Sequence, residues 1–586
     1  MLILFDDARP GAKGPFRLYR APRTVIRADH MDEVRPALAR LREALKDGGH
    51  AAGYLAYEAG YALDEKLARL ARKGAGPLVC FGIFDAPEMI GPAERDRLLS
   101  GAGSASLLPP EPRVTKVDYQ AAVRTVRSQL LAGEHYQANL TFGNDVLTGG
   151  DPLALYVRLR KGAAAAWGGV LVHEDGALVS LSPEQFFTLK SGRIHARPMK
   201  GTAPRHQSPE ADRMQVEMLV ADEKQRAENL MIVDLLRNDL ARVAETGSVS
   251  VPRLFAIEHY PTLHQMVSDV NATLRSGLDA VDIIETIFPC GSVTGAPKIA
   301  AMEKLRELEP EPRGAYTGSM GWIEPPSSDG KPGDASFNVL IRTIEIVPDA
   351  PQARLGLGSG LVVDSEPEDE WAECRLKGEF VTAVSRDFDL IETMRYDPSD
   401  GIAGLEAHLE RMMKSAAALG FAFDRHEARN ELQAATFGKP DARLVRLMLS
   451  PSGAMAIELR PFDPPSSQPL AVTIAPRSVR ADDFRLRFKT SDRHFLDSAR
   501  KDAGTPEVLF EDEEGYLTEG SWTNLFVEKD GHLVTPPLKR GLLPGILRAE
   551  LLASGRAVEG DVRREDLSGG FHVGNAARGL MPAQLA

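Results

Sequence analysis

Residues Ser182 to Arg205 read SPEQFFTLKSGRIHARPMKGTAPR. The pattern is a strand, a turn at Ser191-Gly192, a second strand and a tight Lys-Gly-Thr loop. Glu184 stands behind a proline at one end, and Lys200 stands before a glycine at the other. A hairpin would bring the two together. An amine held against an apolar wall loses hydration, so its pKa is expected to fall and its nucleophilicity to rise. A carboxyl group in the same wall is expected to keep its proton to higher pH and to act as an acid. The bland alternative is a lysine in an exposed turn and an edge glutamate. Residues further along the chain decide between them.

At 586 residues the chain is too long for one core, and about two to four domains are expected. With 43% hydrophobic and 26% charged residues it has the balance of a soluble globular protein. No apolar run approaches the ~20 residues that span a bilayer, so no membrane partner is expected. The first residues, MLILFDDARPG, have no basic start and no long apolar stretch, so no signal peptide is expected. Cys80, Cys290 and Cys374 are isolated, form no CxxC and point to a reducing cytoplasm. The net charge of −13 and the lack of basic runs argue against nucleic acid as a partner. An anionic small molecule would need local cations against this field, which draws attention to Lys200, Arg342 and Lys377.

Residues 1–108 mix strands with one helix, Met31 to Lys46, which has acids near its start and Gly48-Gly49 after it. Small residues and prolines from Ala102 to Arg113 read as a linker. An amphipathic helix then ends at Gly133, and EHYQANLTFGNDV alternates as a strand that turns Gln137 and Asn139 to one side. Pro209 to Val243 reads as one long helix carrying Glu228, with Leu230, Val233, Leu236 and Leu240 as its core face. GSVTGAPK, Gly291 to Lys298, is a turn containing Thr294 that can cap a helix or hold an anion. Phe337 to Ile346 reads as one buried strand carrying Arg342, which there needs an anionic partner. After the glycine-rich strand with Gly358 and Gly360, Glu370 and Glu373 share one face of a helix, with Lys377 a turn further on. Such paired carboxylates are either a solvated acidic surface or ligands of a cation, and oxygen-only donors suit Mg²⁺.

In this order, Tyr136-Gln137-Ala138-Asn139, Ser182-Pro183-Glu184, Lys200-Gly201-Thr202, Ala227-Glu228-Asn229, Arg237-Asn238-Asp239, Gly291 to Lys298, Ile341-Arg342-Thr343 and the Glu370, Glu373 pair resemble a known family. It is component I of the chorismate-utilising amidotransferase enzymes, the aminodeoxychorismate and anthranilate synthases. The resemblance covers Met1 to about Val384. It implies an α/β (α+β) fold, an anthranilate-synthase-like β-sandwich with helices, with an N-terminal subdomain at 1–108 and a chorismate-binding catalytic domain at 114–384. It implies Mg²⁺ held by Glu228, Glu370 and Glu373 and bound to the ring carboxylate of chorismate. Arg342 and the amides near Gly358 to Gly360 would take the other carboxylate, with Thr294 and Lys377 also among the substrate-binding residues. His264 would lie beside the ring, and Glu184 would protonate the departing hydroxyl. Gln137 stands where water-using relatives carry a lysine base, which implies ammonia as nucleophile. Lys200 implies the aminodeoxychorismate branch, in which the lysine attacks the ring, the hydroxyl leaves, ammonia adds and the lysine is expelled. The anthranilate branch typically has alanine there. Gln225 stands where many relatives have an acid, which implies weaker Mg²⁺ binding. No glutaminase motif is in view, so ammonia is expected from a separate glutamine amidotransferase subunit or from solution.

From Phe388 the pattern restarts. FDLIETMRY, RLVRLMLSPSG and PLAVTIAP read as strands, and HLERMMKSAAALGF as a helix carrying Arg411. A turn at Asp512 to Gly515 precedes Glu519, and LLPGILRAELL opens a helix at Gly545. Residues 388–586 resemble the fold-type IV pyridoxal-phosphate enzymes, most of all the 4-amino-4-deoxychorismate lyases. The resemblance implies that Lys489 forms the Schiff base with pyridoxal 5'-phosphate and that Glu519 pairs with the pyridine nitrogen. Arg411 and the amides of Ile546 and Leu547 would hold the phosphate, with Asn575 assisting. On spacing alone Lys489 is one lysine among many. The opening strand and DRG-type turn usual in this fold are missing before Phe388, which leaves the pocket and a homodimer through this domain open. The whole implies a cytoplasmic enzyme that aminates chorismate and then eliminates pyruvate to give 4-aminobenzoate, on the way to folate. Two alternatives stand: an anthranilate synthase component, and a C-terminal part that only docks or dimerises. Tryptophan as a structural ligand of the N-terminal region also stays open.

Overall fold

The computed structural model describes every residue except 10, 73–75, 164, 207, 260–262, 348–349, 351, 466–467 and 530. Residues 1–384 sort into four layers: helices, a sheet, a second sheet, helices. Among the described residues each sheet has ten strands. Successive side chains of a strand face opposite ways, and this sorts the core. Leu4 packs outward against the helices Lys116–Leu131 and Pro152–Ala163, while its neighbour Ile3 joins Tyr54, Leu171 and Met320 between the sheets. On the far face of the second sheet, Phe187 and Phe337 stack with centroids 5.3 Å apart, in a core shared with the helices Met31–Lys46 and Glu223–Ala241.

The stretches 1–108 and 114–384 are interleaved, since each gives strands to both sheets. The segment read as a linker is built in as well. Ala105–Leu107 pairs with Thr148–Gly150, and Leu107 is wholly buried. Its small residues serve close packing rather than freedom. The long helix is two helices, Pro209–Ala221 and Glu223–Ala241, because Asp222 takes an extended backbone and caps the second by accepting the Gln225 N–H. Lys200 to Thr202 is no tight loop. It lies in the strand Met199–Pro204, bulged around Gly201 (φ 102°).

Phe337 to Ile346 is also two strands, Ala335–Asn338 in the second sheet and Thr343–Ile346 in the first. The chain crosses between the sheets at residues 339–342, where Arg342 has a φ of 48°. The apolar run continues through the crossing because Val339 and Leu340 are buried between layers. A second crossing runs beside it. The strand Gly176–Ser180 ends in the first sheet, and Leu181-Ser182-Pro183-Glu184 leads to Gln185–Lys190 in the second. The two crossings bond to each other. Leu181 N–H donates to the Arg342 carbonyl (3.0 Å), Val339 N–H to the Glu184 carbonyl (3.1 Å), and the Ser182 hydroxyl to the Val339 carbonyl (2.6 Å).

Residues 388–586 form a four-stranded and an eight-stranded sheet among the described residues. In the smaller, Leu390–Asp397 pairs with Arg443–Leu449 beneath the helices Leu405–Leu419 and Arg425–Thr436. The larger carries Leu517–Gly520 and Asn524–Lys529, with the helix Ile546–Ala553 packed on it. No helix among the described residues is long and apolar enough to cross a membrane.

Ser182→Ala removes the hydroxyl donor from the Val339 carbonyl, which keeps the Ile341 N–H (2.8 Å). The expected cost is about 0.5–1.5 kcal/mol in urea unfolding of the full chain. An unchanged midpoint would show that the crossings hold without it.

Candidate active sites

The first site lies where the two sheets meet at one end. Asn139, Thr141 and Gly143 stand opposite Gly360, Gly358 and Gly356, and so share a face with them. Gly356 and Gly358 admit the Tyr316 ring and the Leu140 carbonyl on that face, and Gly360 leaves it to Gln137 and Lys200. A Cβ at Gly360 would stand 2.9 Å from Gln137 Nε2 and 3.4 Å from Lys200 Nζ. Lys200, from the second sheet, thus reaches the first at this point. Thr343–Ile346 pairs with the glycine-bearing strand only as far as Leu355. Beyond it the strand has an open edge on the side from which Arg342 arrives.

Carboxylates and lysines gather here. Lys200 Nζ lies 3.2 Å from Glu228 Oε2, and Lys377 Nζ lies 2.7 Å from Glu373 Oε1 and 2.9 Å from the Gly358 carbonyl. Asn229 Nδ2 donates to the Lys200 carbonyl (3.1 Å) and its Oδ1 accepts from Ser268 (2.6 Å), fixing the lysine's strand. Contrary to expectation, the Lys200 amine does not fall in pKa. Burial pulls it down, but Glu228, Glu373 and Glu370 outweigh burial and hold it above the ordinary lysine value. Glu184 behaves as expected. Burial raises its carboxyl to about 7, against a hydrogen bond from Ser292 and the charges of Lys200 and Lys377.

The three acids fit Mg²⁺ in kind. All donors are oxygen, and Glu370 Oε2 is buried with no hydrogen-bond partner among the described residues. No three such groups among the described residues are already gathered at metal-binding separation. Lys200 and Lys377 are at present the counter-ions. His264 stands apart from this cluster. It is fully buried, with Nε2 3.0 Å from Asp212 Oδ1 and Nδ1 2.7 Å from His259 Nδ1. Thr294 turns its hydroxyl to the carbonyls of Cys290 (3.3 Å) and Gly291 (3.1 Å), and its own carbonyl accepts the Asn139 N–H (2.9 Å). It therefore shapes the turn and ties it to the site strand. Gln225 packs its amide oxygen over Gly201.

In the second site, burial lowers the Lys489 amine to about 7, helped by Arg411, Arg493 and Arg446 and opposed by Glu392. Burial raises Glu519 to about 8, although the Leu543 N–H donates to its Oε2 (3.0 Å). The helix Ile546–Ala553 starts at Gly545, where a Cβ would strike the Asn524 side chain at 1.8 Å. Arg411 is more engaged than a phosphate ligand alone would be. Its Nε and one NH₂ group grip Glu392 (2.8 and 2.7 Å), and the other donates to the Pro544 carbonyl (3.2 Å) beside that helix start. His408 joins Glu392 at 2.6 Å. Despite burial, Arg411 and His408 bring the Glu392 carboxyl down to about 2. Asn575 accepts the N–H groups of Ala577 and Arg578 and donates to the Trp522 carbonyl, so it shapes a turn. An amine that loses its proton near pH 7, a buried carboxyl and a helix start fit pyridoxal phosphate in kind.

Sequence reasoning missed Ser292 as the partner of Glu184, and Asn229, Glu392, His408, Arg446 and Arg493. One signal was there: His408 and Arg411 are three apart on one helix face.

Modification of Lys489 in the full chain by a slow amine reagent, followed by peptide mass spectrometry, is expected to rise with a midpoint near pH 7. Below it the amine is protonated and inert. Exposed lysines are expected to rise nearer ~10.4. A Lys489 midpoint among the exposed lysines would remove this account of the site.

Residues 6–383 match the family model for chorismate binding enzymes, and residues 389–585 match the model for class IV amino-transferases. Aminodeoxychorismate synthase component 1 of Salmonella typhimurium is 43% identical over 262 residues, 44% of this chain and 56% of that protein. Its namesake in Escherichia coli K12 is 40% identical over 260 residues, 44% of this chain and 56% of that protein. Anthranilate synthase component 1 of Methanothermobacter thermautotrophicus is 38% identical over 259 residues, 44% of this chain and 54% of that protein. The chain thus spans about half the length of the curated relatives it matches. Among solved structures, anthranilate synthase component I from Streptococcus pneumoniae TIGR4 superposes with a TM-score of 0.53 at 24% identity, covering 64% of this chain and 92% of that one; this likeness bears on the fold alone. With its layered sheets, its acid and lysine cluster and a family match over residues 6–383, the chain belongs to the chorismate binding enzymes, with a class IV amino-transferase region joined behind.

Proposed function

We propose that the chain makes 4-aminobenzoate in two steps, amination of chorismate to 4-amino-4-deoxychorismate in residues 1–384 and elimination of pyruvate in residues 388–586. The observation that carries this reading is the meeting of Lys200 with Gln137 over Gly360, beside Glu184 and the three acids.

In the first step Arg342 and the open-edge amides hold one carboxylate of chorismate. Glu228, Glu370 and Glu373 would hold Mg²⁺, which would supply positive charge for the ring carboxylate. Lys200 first passes its ammonium proton to solvent; as the amine bonds to the ring, Glu184 gives its proton to the departing hydroxyl. Ammonia then adds, its extra proton returns to the Glu184 carboxylate, and Lys200 leaves as the free amine. The acidic form of Glu184 is present below about pH 7, so its contribution falls as pH rises through that value. Gln137 offers an amide where a base would activate water, which suits ammonia. A glutamine amidotransferase subunit is the proposed source of ammonia.

In the second step pyridoxal phosphate, when bound, supplies an electron sink. Lys489, about half deprotonated at pH 7, takes the proton from the amine-bearing ring carbon. Glu519 would pair with the pyridine nitrogen, and Arg411 with the start of the helix Ile546–Ala553 would hold the phosphate. The ring becomes aromatic as pyruvate leaves. A cytoplasmic setting and a homodimer through the second domain go with this reading.

Incubation with chorismate, ammonia and Mg²⁺, with and without pyridoxal phosphate, tests it by product identification. 4-Aminobenzoate is expected only with both cofactors. Lys489→Ala is expected to stop at 4-amino-4-deoxychorismate. Glu184→Gln is expected to slow amination about 10²–10⁴-fold and to erase the fall in rate above pH 7. Anthranilate as product, or full amination by Lys200→Ala, would end the proposal.

A further inference from the structure

The lysine of the second site rides on a segment that is anchored in part on the first domain. Arg485 and Asp492 flank Lys489 in sequence. The Arg485 side chain is wholly buried. It pairs with Asp483 (Nε to Oδ1 3.0 Å, NH₂ to Oδ2 2.8 Å) and with Asp492 (2.9 Å), and its guanidinium lies 4.7 Å from the Phe495 ring centre. Three groups from the first domain complete the cluster. The Ser104 hydroxyl accepts from Arg485 (2.8 Å), the Ser106 hydroxyl donates to Asp492 Oδ2 (2.6 Å), and the Gly150 N–H donates to Asp483 Oδ2 (2.9 Å).

The paired strands Ala105–Leu107 and Thr148–Gly150 are shaped to this cluster. A Cβ at Gly149 would stand 2.4 Å from Asp483 Oδ1, and Gly150 adopts a φ of 99° with its Cβ position 2.1 Å from the Ser104 carbonyl. Around the charges, Leu108 and Leu147 pack with Phe388 and Phe484. On the other side the segment is pinned to the small sheet, where the Lys489 carbonyl accepts the Ile391 N–H (2.8 Å) and the Asp389 carbonyl accepts the Ser491 N–H (2.8 Å). Buried charges are costly unless every partner is present. The chemistry of neither site uses Arg485, Asp483 or Asp492, yet all three are held as if their geometry mattered.

Resting on the reading of Lys489 as the lysine that holds the cofactor, we propose that Arg485, Asp483 and Asp492, closed by Ser104, Ser106 and Gly150, are positioning residues for Lys489. The amination domain thereby builds part of the elimination site, and the second domain alone has an incomplete lysine segment.

The test uses the full chain with pyridoxal phosphate as probe. Ser106→Ala, Ser106→Thr and Asp492→Asn are compared with wild type and Lys489→Ala. Four quantities are measured: cofactor affinity by absorbance, the fraction fixed on Lys489 by borohydride and mapped by peptide mass spectrometry, the melting temperature, and amination with ammonia. Ser106→Ala and Asp492→Asn are expected to weaken cofactor binding about 10–100-fold and to lower the fixed fraction. Amination is expected to hold, melting to fall modestly because a buried partner is lost, and Ser106→Thr to restore binding. Wild-type affinity and fixed fraction in both weakened variants would overturn the proposal. So would a parallel fall in amination and melting, which marks general loss of structure. If wild type binds the cofactor no better than Lys489→Ala, the underlying reading of Lys489 fails, and the proposal fails with it.

Discussion

Two short stretches of chain pass between the sheets of the first domain, and they satisfy each other's backbone. Chain buried outside a ladder must still pair its N–H and carbonyl groups. Here Leu181 and Val339 donate across the seam to Arg342 and Glu184, and Ser182 adds its hydroxyl. This bonding lets two sheets share one layer of core. It also places a glutamate on one crossing and an arginine on the other, at a boundary that a single strand could not offer. The raised pKa of Glu184 follows from being part of that seam, since its surroundings are core rather than water.

The two lysines show how neighbours decide the effect of burial. Lys200 and Lys489 are both withdrawn from water. Lys200 faces Glu228, Glu373 and Glu370, and at a few ångströms in a low dielectric three negative charges exceed the desolvation of one ammonium. Lys489 faces Arg411, Arg493 and Arg446, so its neighbours add to desolvation and the amine comes down to about 7. The first lysine is a stored cation in the resting protein. The second is close to its reactive form already. The sign of each shift lies in the charges that the fold brings near, and hydrophobicity of the local sequence does not set it.

That contrast marks what the sequence could reveal. Strand alternation around Gln137, the glycine-bearing strand and the paired acids on one helix face were legible, because each is a local pattern of period two or near four. The break at Asp222 was missed because the apolar pattern runs through it while a single carboxylate ends one helix and caps the next. The crossing at Arg342 was missed for a similar reason: buried residues between sheets look like buried residues within one. The raised Lys200 depends on Glu228, Glu370 and Glu373, which come from other elements, so a reading of the hairpin alone gave the opposite sign. Ser104 and Ser106 looked like linker material, since small residues that fit against a buried ion pair carry no periodic signal.

Gly360 presents main chain to the first site. A Cβ there would stand 2.9 Å from the Gln137 amide nitrogen and 3.4 Å from Lys200 Nζ, whereas at Gly356 and Gly358 the same space is taken by the Tyr316 ring (2.1 Å) and the Leu140 carbonyl (2.6 Å). An inhibitor lying against the backbone at Gly360 would touch atoms that are the same whatever residue is encoded. There is no side chain at that point to trim, and an added one would crowd Gln137.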